Sequence, residues 1–378
     1  MYDPFKHARA ITNLQMLQTM EAVFNNILST SFYPGAPAKR TAPETKTVAR
    51  LPSRPGKVVG KSRQRAKTIH KSGIPATLRA KPTKRGRASF TKGIHICEFG
   101  QRSFKLYIPA IARIADTRLP LLVMLHGCKQ TPEDFARGTG MNALAEEFGF
   151  LVLYPAQEAK SQIYRCWNWY KPDDQVRGSG EPALLASMVS QIITKYRVDP
   201  GKVYVAGLSA GASAALIIAD AYPDIFAAVG THSGLPVGAA HNGLTAVIAM
   251  KFGAPGLQHS DPMPTIDFHG SSDKVVNPRN GRFIISRALD PYSDLGKTVK
   301  SGQKTDGRKY VRTSYRLGTG RSFIEHWVIE GADHAWSGGN AANSYTDPAG
   351  PDASREMVQF FLRHRTTAKR RSRRPPGF

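Results

Sequence analysis

The sequence predicts an α/β fold with a mostly parallel central sheet and helices on both faces. Three observations carry this. Short apolar runs such as PLLVMLHG and FLVLYPA alternate with longer segments of helical periodicity from about Gly93 onward. The apolar runs are continuous rather than alternating, which suits strands covered on both faces. Polar and glycine residues gather where apolar runs stop, and in such sheets sites form at the carboxyl ends of strands.

Taken in order, GIHICEFGQRSFKLYIPA reads as a hairpin, with Phe104, Leu106 and Ile108 alternating. PLLVMLHG is a buried strand, PEDFARGTGMNALAEEFG a helix containing a Gly-rich turn, and FLVLYPA a second strand. EPALLASMVSQIITKYRV is a helix, and VYVAGLS a strand that runs into the helix ASAALIIADA. FAAVGTHSG and PTIDFHGSSD are strands, NPRNGRFIISRALD a helix, and SYRLGTG and FIEHWVIEGADHAW the last strands. PDASREMVQFFLRH closes the body.

The chain has 378 residues, and its net charge of +25 is unevenly spread. Between Pro34 and Lys92 the only acid among many Lys and Arg is Glu44, and the C-terminus carries Lys369-Arg370-Arg371-Ser372-Arg373-Arg374. The basicity therefore belongs to the tails. Four regions are expected: an amphipathic helix over 1–33, a basic disordered linker over 34–92, a catalytic body over 93–365 and a basic disordered tail over 366–378. In the first region Ile11, Leu14, Leu17, Met20, Phe24, Ile27 and Leu28 recur at helical spacing. Such a helix packs on the body or on a second copy; the sharper alternative is attachment to a membrane or a hydrophobic granule. The tails suit an anionic granule or membrane surface, with a solvated tail as the plain alternative. No base-reading motif for nucleic acid is visible. No apolar run is long enough to span a membrane. The N-terminus lacks the compact apolar core and cleavage site of a signal peptide, so a cytoplasmic location is expected.

The chemistry starts at Gly207-Leu208-Ser209-Ala210-Gly211, a G-x-S-x-G between a strand and a helix. A sharp strand-to-helix reversal exposes the serine hydroxyl, and side chains at the two glycines would collide with the turn. Asp273 follows IDFHG, and His334 follows the WVIEGAD run. Ser, then Asp, then His is the chain order of α/β-hydrolases. Ser209 would attack a carbonyl carbon, His334 would move the proton, and Asp273 would orient the imidazole. The backbone N–H groups of Ala210 and Cys128 would form the oxyanion hole. Alternatives stay open at this point. Asp273 could cap the helix that starts near Asn277, and Asp267 is a second acid inside the strand. His326, His269 and His232 compete with His334, while His126 reads as structural. Trp167, Trp169 and Trp336 would line the pocket, the first two being equally plausible as core. The cysteines are Cys97, Cys128 and Cys166; an odd number argues against a full disulfide framework, and one pair remains possible.

LHGCKQTPEDFARGTGMNALAEEFGFLVLYPAQ, RCWNWY, RGSGEPALLASM, VYVAGLSAGASAA and GADHAWSGG together resemble the polyhydroxybutyrate depolymerase-like esterases, which include acetylxylan and feruloyl esterases. The resemblance covers roughly Gly93 to Arg365. It implies an α/β-hydrolase fold and hydrolysis of carboxylic esters without a cofactor or metal. The triad it implies is Ser209, Asp273 and His334. It also implies that Cys128 and Cys166 pair, the alternative being two buried thiols. The family's secreted members, and such a bridge, point to an extracellular location instead. Two positions depart from the family pattern: Ser271-Ser272 stand before Asp273 where an acid is usual, and Ala212 follows Gly211. The expected substrate is a short-chain hydroxyalkanoate polyester or oligoester. An acetylated or feruloylated polysaccharide is the second choice, and an idle hydrolase-fold scaffold the third.

Overall fold

A computed structural model describes residues 86–372, except 114–116, 160, 163 and 259–260. The expected amphipathic segment 1–33, most of the basic stretch 34–92 and the end of the tail lie outside the described residues.

Among the described residues, ten strands form one sheet in the order β1-β2-β4-β3-β5-β6-β7-β10-β9-β8. Six of them are parallel neighbours: β4 (Leu151–Pro155), β3 (Leu119–Leu125), β5 (Val198–Leu208), β6 (Ala228–His232), β7 (Thr265–Gly270) and β10 (Ser322–Ile329). Antiparallel strands extend both edges: β1 (Ser89–Cys97) with β2 (Gly100–Ile108), and β9 (Lys309–Arg316) with β8 (Gly296–Gln303). The expected mostly parallel sheet is present.

The central strands are apolar throughout because both faces are covered. On β3, Leu121, Val123 and Leu125 join one core with Leu185 and Val189 of α3 (Gly180–Lys195) and Ile217 of α4 (Ala210–Ala221). Leu122 and Met124 point the other way. They join Phe135 of α1 (Pro132–Thr139), Leu144 of α2 (Met141–Phe148) and Met357 and Phe361 of α7 (Ala353–Phe361). The Gly-rich turn separates α1 from α2 at Gly140, whose φ is 64°.

Three features depart from expectation. The sheet begins at Ser89, four residues before the expected start of the body, and Phe90 packs edge-on against Tyr154. Strand β8 and helix α5 (Gly243–Phe252) carry no element in the sequence reading. At the other end a short helix, α8 (Ala368–Arg371), lies inside the segment expected as a tail. Its Arg370 donates to the carbonyls of Pro223 and Phe226.

Candidate active site

Strand β5 passes into α4 through Ser209, whose φ of 57° and ψ of −122° are costly for any residue with a Cβ. The packing enforces this conformation. A Cβ at Gly207 would lie 2.3 Å from the backbone of Gly211, and one at Gly211 would lie 2.2 Å from the Leu125 carbonyl oxygen. The G-x-S-x-G spacing is thus a close approach of three backbone segments: the end of β3, the turn and the first turn of α4. Ala210 is the first residue of α4, so its N–H is among the donors that an α-helix leaves unpaired at its start.

The other strand ends converge beside it. Ser209 donates its N–H to the carbonyl of His232 at the end of β6. The His232 Nε2 accepts from the Ser337 N–H at 2.9 Å, which ties the segment after His334 to the same strand end. The loops after β7 and β10 are joined as well: Ser272 donates to the Ala332 carbonyl, and Lys274 N–H to Asp333. Across that junction His334 Nδ1 donates to Asp273 Oδ2 at 2.8 Å. Asp273 Oδ1 accepts from the N–H groups of Val275 and Val276 at 2.9 and 2.8 Å. So Asp273 does cap a turn with one oxygen while the other holds a histidine. Both residues are buried. Burial pushes the Asp273 carboxyl up, but the charge and hydrogen bond of His334, with His269 behind, hold it well below its ordinary range.

Cys128 follows β3 and is bonded to Cys166. The N–H groups on either side of it are engaged, Gly127 by Gln130 Oε1 at 2.9 Å and Lys129 by the Tyr164 carbonyl at 2.6 Å. Gln130 Nε2 then reaches Ser344 and Asp134. His126 donates from Nδ1 to the Gly127 carbonyl and accepts the Gln157 N–H at Nε2. Burial pushes it down to about 4, so it is a neutral brace, as its early position implies.

Trp336 is placed differently from expectation, whereas Trp167 and Trp169 take their core alternative. Trp336 is fully buried, stacked on His232 and edge-on to Phe135, with its indole N–H on Ser354. Trp167 is fully buried with its N–H on the His126 carbonyl, and Trp169 packs edge-on against Tyr170. Trp336 and Trp167 therefore back the site as core and do not present a face to a substrate. The sequence reading also missed Glu181, at the start of α3. Its carboxylate gathers Asn168, Gln157 and Arg102, and so fixes the CWNW segment. Burial, then the nearby Asp174, raises its carboxyl. An acid in the first turn of a helix is so ordinary that no local signal marks it. The competing Asp267 and His326 form a pair of their own, at 2.9 Å, away from Ser209. A cavity is lined by Leu216, Val229, Pro236 and Thr265, none of them among these groups.

A family model described as esterase PHB depolymerase matches residues 102–293. That stretch spans the Cys128 loop, the Ser209 turn and Asp273. The chain belongs to this esterase family. It is 31% identical to poly(3-hydroxyalkanoate) depolymerase C of Paucimonas lemoignei, over 57% of this chain and 54% of that protein. It is 32% identical to feruloyl esterase B of Thermothelomyces thermophilus, over 53% of this chain and 74% of that protein. The chain spans about half the length of the polyester depolymerases it matches. Among solved structures, an acetyl xylan esterase from Aspergillus awamori shares the fold, with a TM-score of 0.54 at 19% identity, covering 72% of this chain and 99% of that one. The α/β-hydrolase fold of the family is the fold described above.

Proposed function

We propose that the protein is a serine hydrolase of carboxylic esters, with Ser209 as nucleophile, His334 as base and acid, and Asp273 as its partner. The observation that carries this is the convergence on one sheet edge of a strained strand-to-helix serine and a buried Asp273–His334 pair. Ser209 Oγ attacks the ester carbonyl carbon as His334 Nε2 takes its proton. The carbonyl oxygen gains the charge and is held by the N–H groups of Cys128 and Ala210. Collapse breaks the acyl–oxygen bond, and His334 returns the proton to the departing alcohol. Water then repeats the sequence on the acyl-enzyme and frees the acid. Asp273 stays ionised, as its depressed pKa favours, and keeps the imidazole in the tautomer with Nε2 ready to accept.

The preferred substrate is a short-chain hydroxyalkanoate polyester or oligoester, on the likeness to the polyhydroxyalkanoate depolymerases. A feruloyl or acetyl ester of plant polysaccharide is the second reading, because feruloyl esterase B is matched over more of its own length. Hydrolysis of p-nitrophenyl butyrate by wild type and Ser209→Ala tests the chemistry. A fall of roughly 10⁴-fold or more is expected in the variant. Equal rates in the two proteins would remove Ser209 from the mechanism. Poly(3-hydroxybutyrate) and methyl ferulate, compared by kcat/KM, then choose between substrates.

A further inference from the structure

His269 lies outside the three proposed catalytic groups, yet it is built into their support. It sits next to the end of β7 and is 1% exposed. Its ring meets the Val276 carbonyl at 2.9 Å through Nε2. A carbonyl only accepts, so Nε2 carries the proton. The same nitrogen lies 3.5 Å from Asp273 Oδ2, the oxygen that receives His334. Since the Val276 N–H in turn donates to Asp273 Oδ1, the turn from 269 to 276 is closed by a ring of contacts with the carboxylate inside it.

The other side of the ring is different. His269 Nδ1 is buried with no hydrogen-bond partner among the described residues. Helix α6 (Arg279–Leu289) crosses over it at Gly281. A Cβ there would lie 2.8 Å from His269 Nδ1, 2.9 Å from Asp267 Oδ2 and 3.2 Å from His326 Cε1. An apolar side chain would avoid the unpaired Nδ1 but would leave the Val276 carbonyl without this donor. What histidine adds is the donor on its Nε2 side.

We propose that His269 is a positioning residue for Asp273, closing the 273–276 turn so that Oδ2 meets His334 Nδ1. The proposal deepens the triad reading above and rests on it. The groups facing it are Asp273, His334 and His232 on one side, and Asp267 and His326 on the other. His232 is pushed down to about 3, by burial first and by His269 next, so it is neutral where esters are hydrolysed. With the turn loosened, Asp273 would contact His334 for less of the time. A carboxylate stabilises an imidazolium, so losing that contact costs most at the point where His334 has taken the Ser209 proton.

The test compares His269→Phe, which fills the space without a donor, with His269→Gln, which keeps one. Active sites are counted with a fluorophosphonate. The kcat and KM for p-nitrophenyl butyrate are then followed from about pH 5 to about pH 9. In His269→Phe, kcat per titrated site should fall roughly 10–100-fold, while KM stays within about twofold. His269→Gln should recover much of the loss across that pH range. If His269→Phe fails to fold, Gly281→Ala, which presses on the same imidazole, should show the same changes in smaller degree. A His269→Phe protein with wild-type kcat per site throughout that range, differing only in melting temperature, overturns the proposal. Absence of Ser209-dependent turnover in the wild type overturns the triad reading, and this proposal with it.

Discussion

Among the described residues, two buried histidine–aspartate pairs joined through Nδ1 are set on or just beyond the same two neighbouring strands. Asp273–His334 and Asp267–His326 have nearly equal lengths, 2.8 and 2.9 Å, and in both the Nδ1 atom meets a carboxylate. Their positions along the strands differ. Asp267 and His326 face each other in register inside β7 and β10, and the spare Asp267 oxygen accepts the Thr231 hydroxyl at 2.6 Å. Asp273 and His334 lie on the loops beyond those strands, at the edge where β5 delivers Ser209. In both pairs burial raises the carboxyl, and the partner histidine together with His269 and nearby hydrogen-bond donors more than offsets it. Neither contact length nor carboxylate pKa, then, separates the pair proposed as catalytic from the other. The distinction is whether a third group with a reactive atom shares the strand ends.

Substituting the two acids in parallel should break the symmetry most widely. Asp273→Asn should lower kcat by about 10⁴-fold with the fold intact. Asp267→Asn should keep kcat within roughly tenfold but cost about 1–3 kcal/mol in denaturant unfolding. Comparable activity losses in both variants would mean that the pairs act as one unit. Next in size is the bond behind the oxyanion loop. Replacing Cys128 and Cys166 together by serine should cost about 3–4 kcal/mol by loop entropy, and should lower kcat more than it raises KM. A double variant with unchanged turnover would show that hydrogen bonds alone hold the loop.

A third contrast uses His126, a buried histidine with no carboxylate partner in its hydrogen bonds. Its folded pKa is about 4, against 6.5 for the free side chain. A depressed folded value means that the unfolded chain binds the proton first. Its contribution is therefore present above pH 6.5 and lost as pH falls toward about 4. The size is up to roughly 3 kcal/mol. Asp273 acts in the same direction but in a lower window, below the ordinary carboxylate value of 3.8. The melting temperature should fall over the upper window in wild type and fall less in His126→Gln; parallel curves would remove His126 as the cause. The smallest effect concerns Ser209 itself. Since glycine adopts positive φ freely, Ser209→Gly should be more stable than Ser209→Ala by about 1 kcal/mol, read from paired thermal melts.

The sequence was informative where structure is local. The Ser209 turn was legible because its glycines and flanking strand and helix lie within a few residues. Asp273 and His334 were legible as polar residues at the ends of apolar runs. Chain order admits Asp267 and His326 equally; what favoured Asp273 and His334 was their place beyond the strand patterns rather than inside them. What stayed hidden was set by distant contacts. Trp336 stands two residues from His334, yet its side chain turns into the core against Phe135 and His232. Strand β8 is polar and exposed along most of its length, and among the described residues β9 is its only partner, so no burial pattern announced it. Glu181 draws its importance from Gln157, Asn168 and Arg102, which converge only in the fold.

The Cys128–Cys166 bond has a consequence that runs in the opposite direction from support. The Lys129 N–H on the Tyr164 carbonyl, and the Trp167 indole on the His126 carbonyl, already hold the two cysteines side by side. Linkage is reciprocal, so whatever the bond does for the loop, an occupied loop does for the bond. A tightly held tetrahedral ligand on the Cys128 amide would make the sulfurs harder to separate by an attacking thiol. On the proposed mechanism, ester hydrolysis and thiol exchange would share one equilibrium, and each could be read through the other.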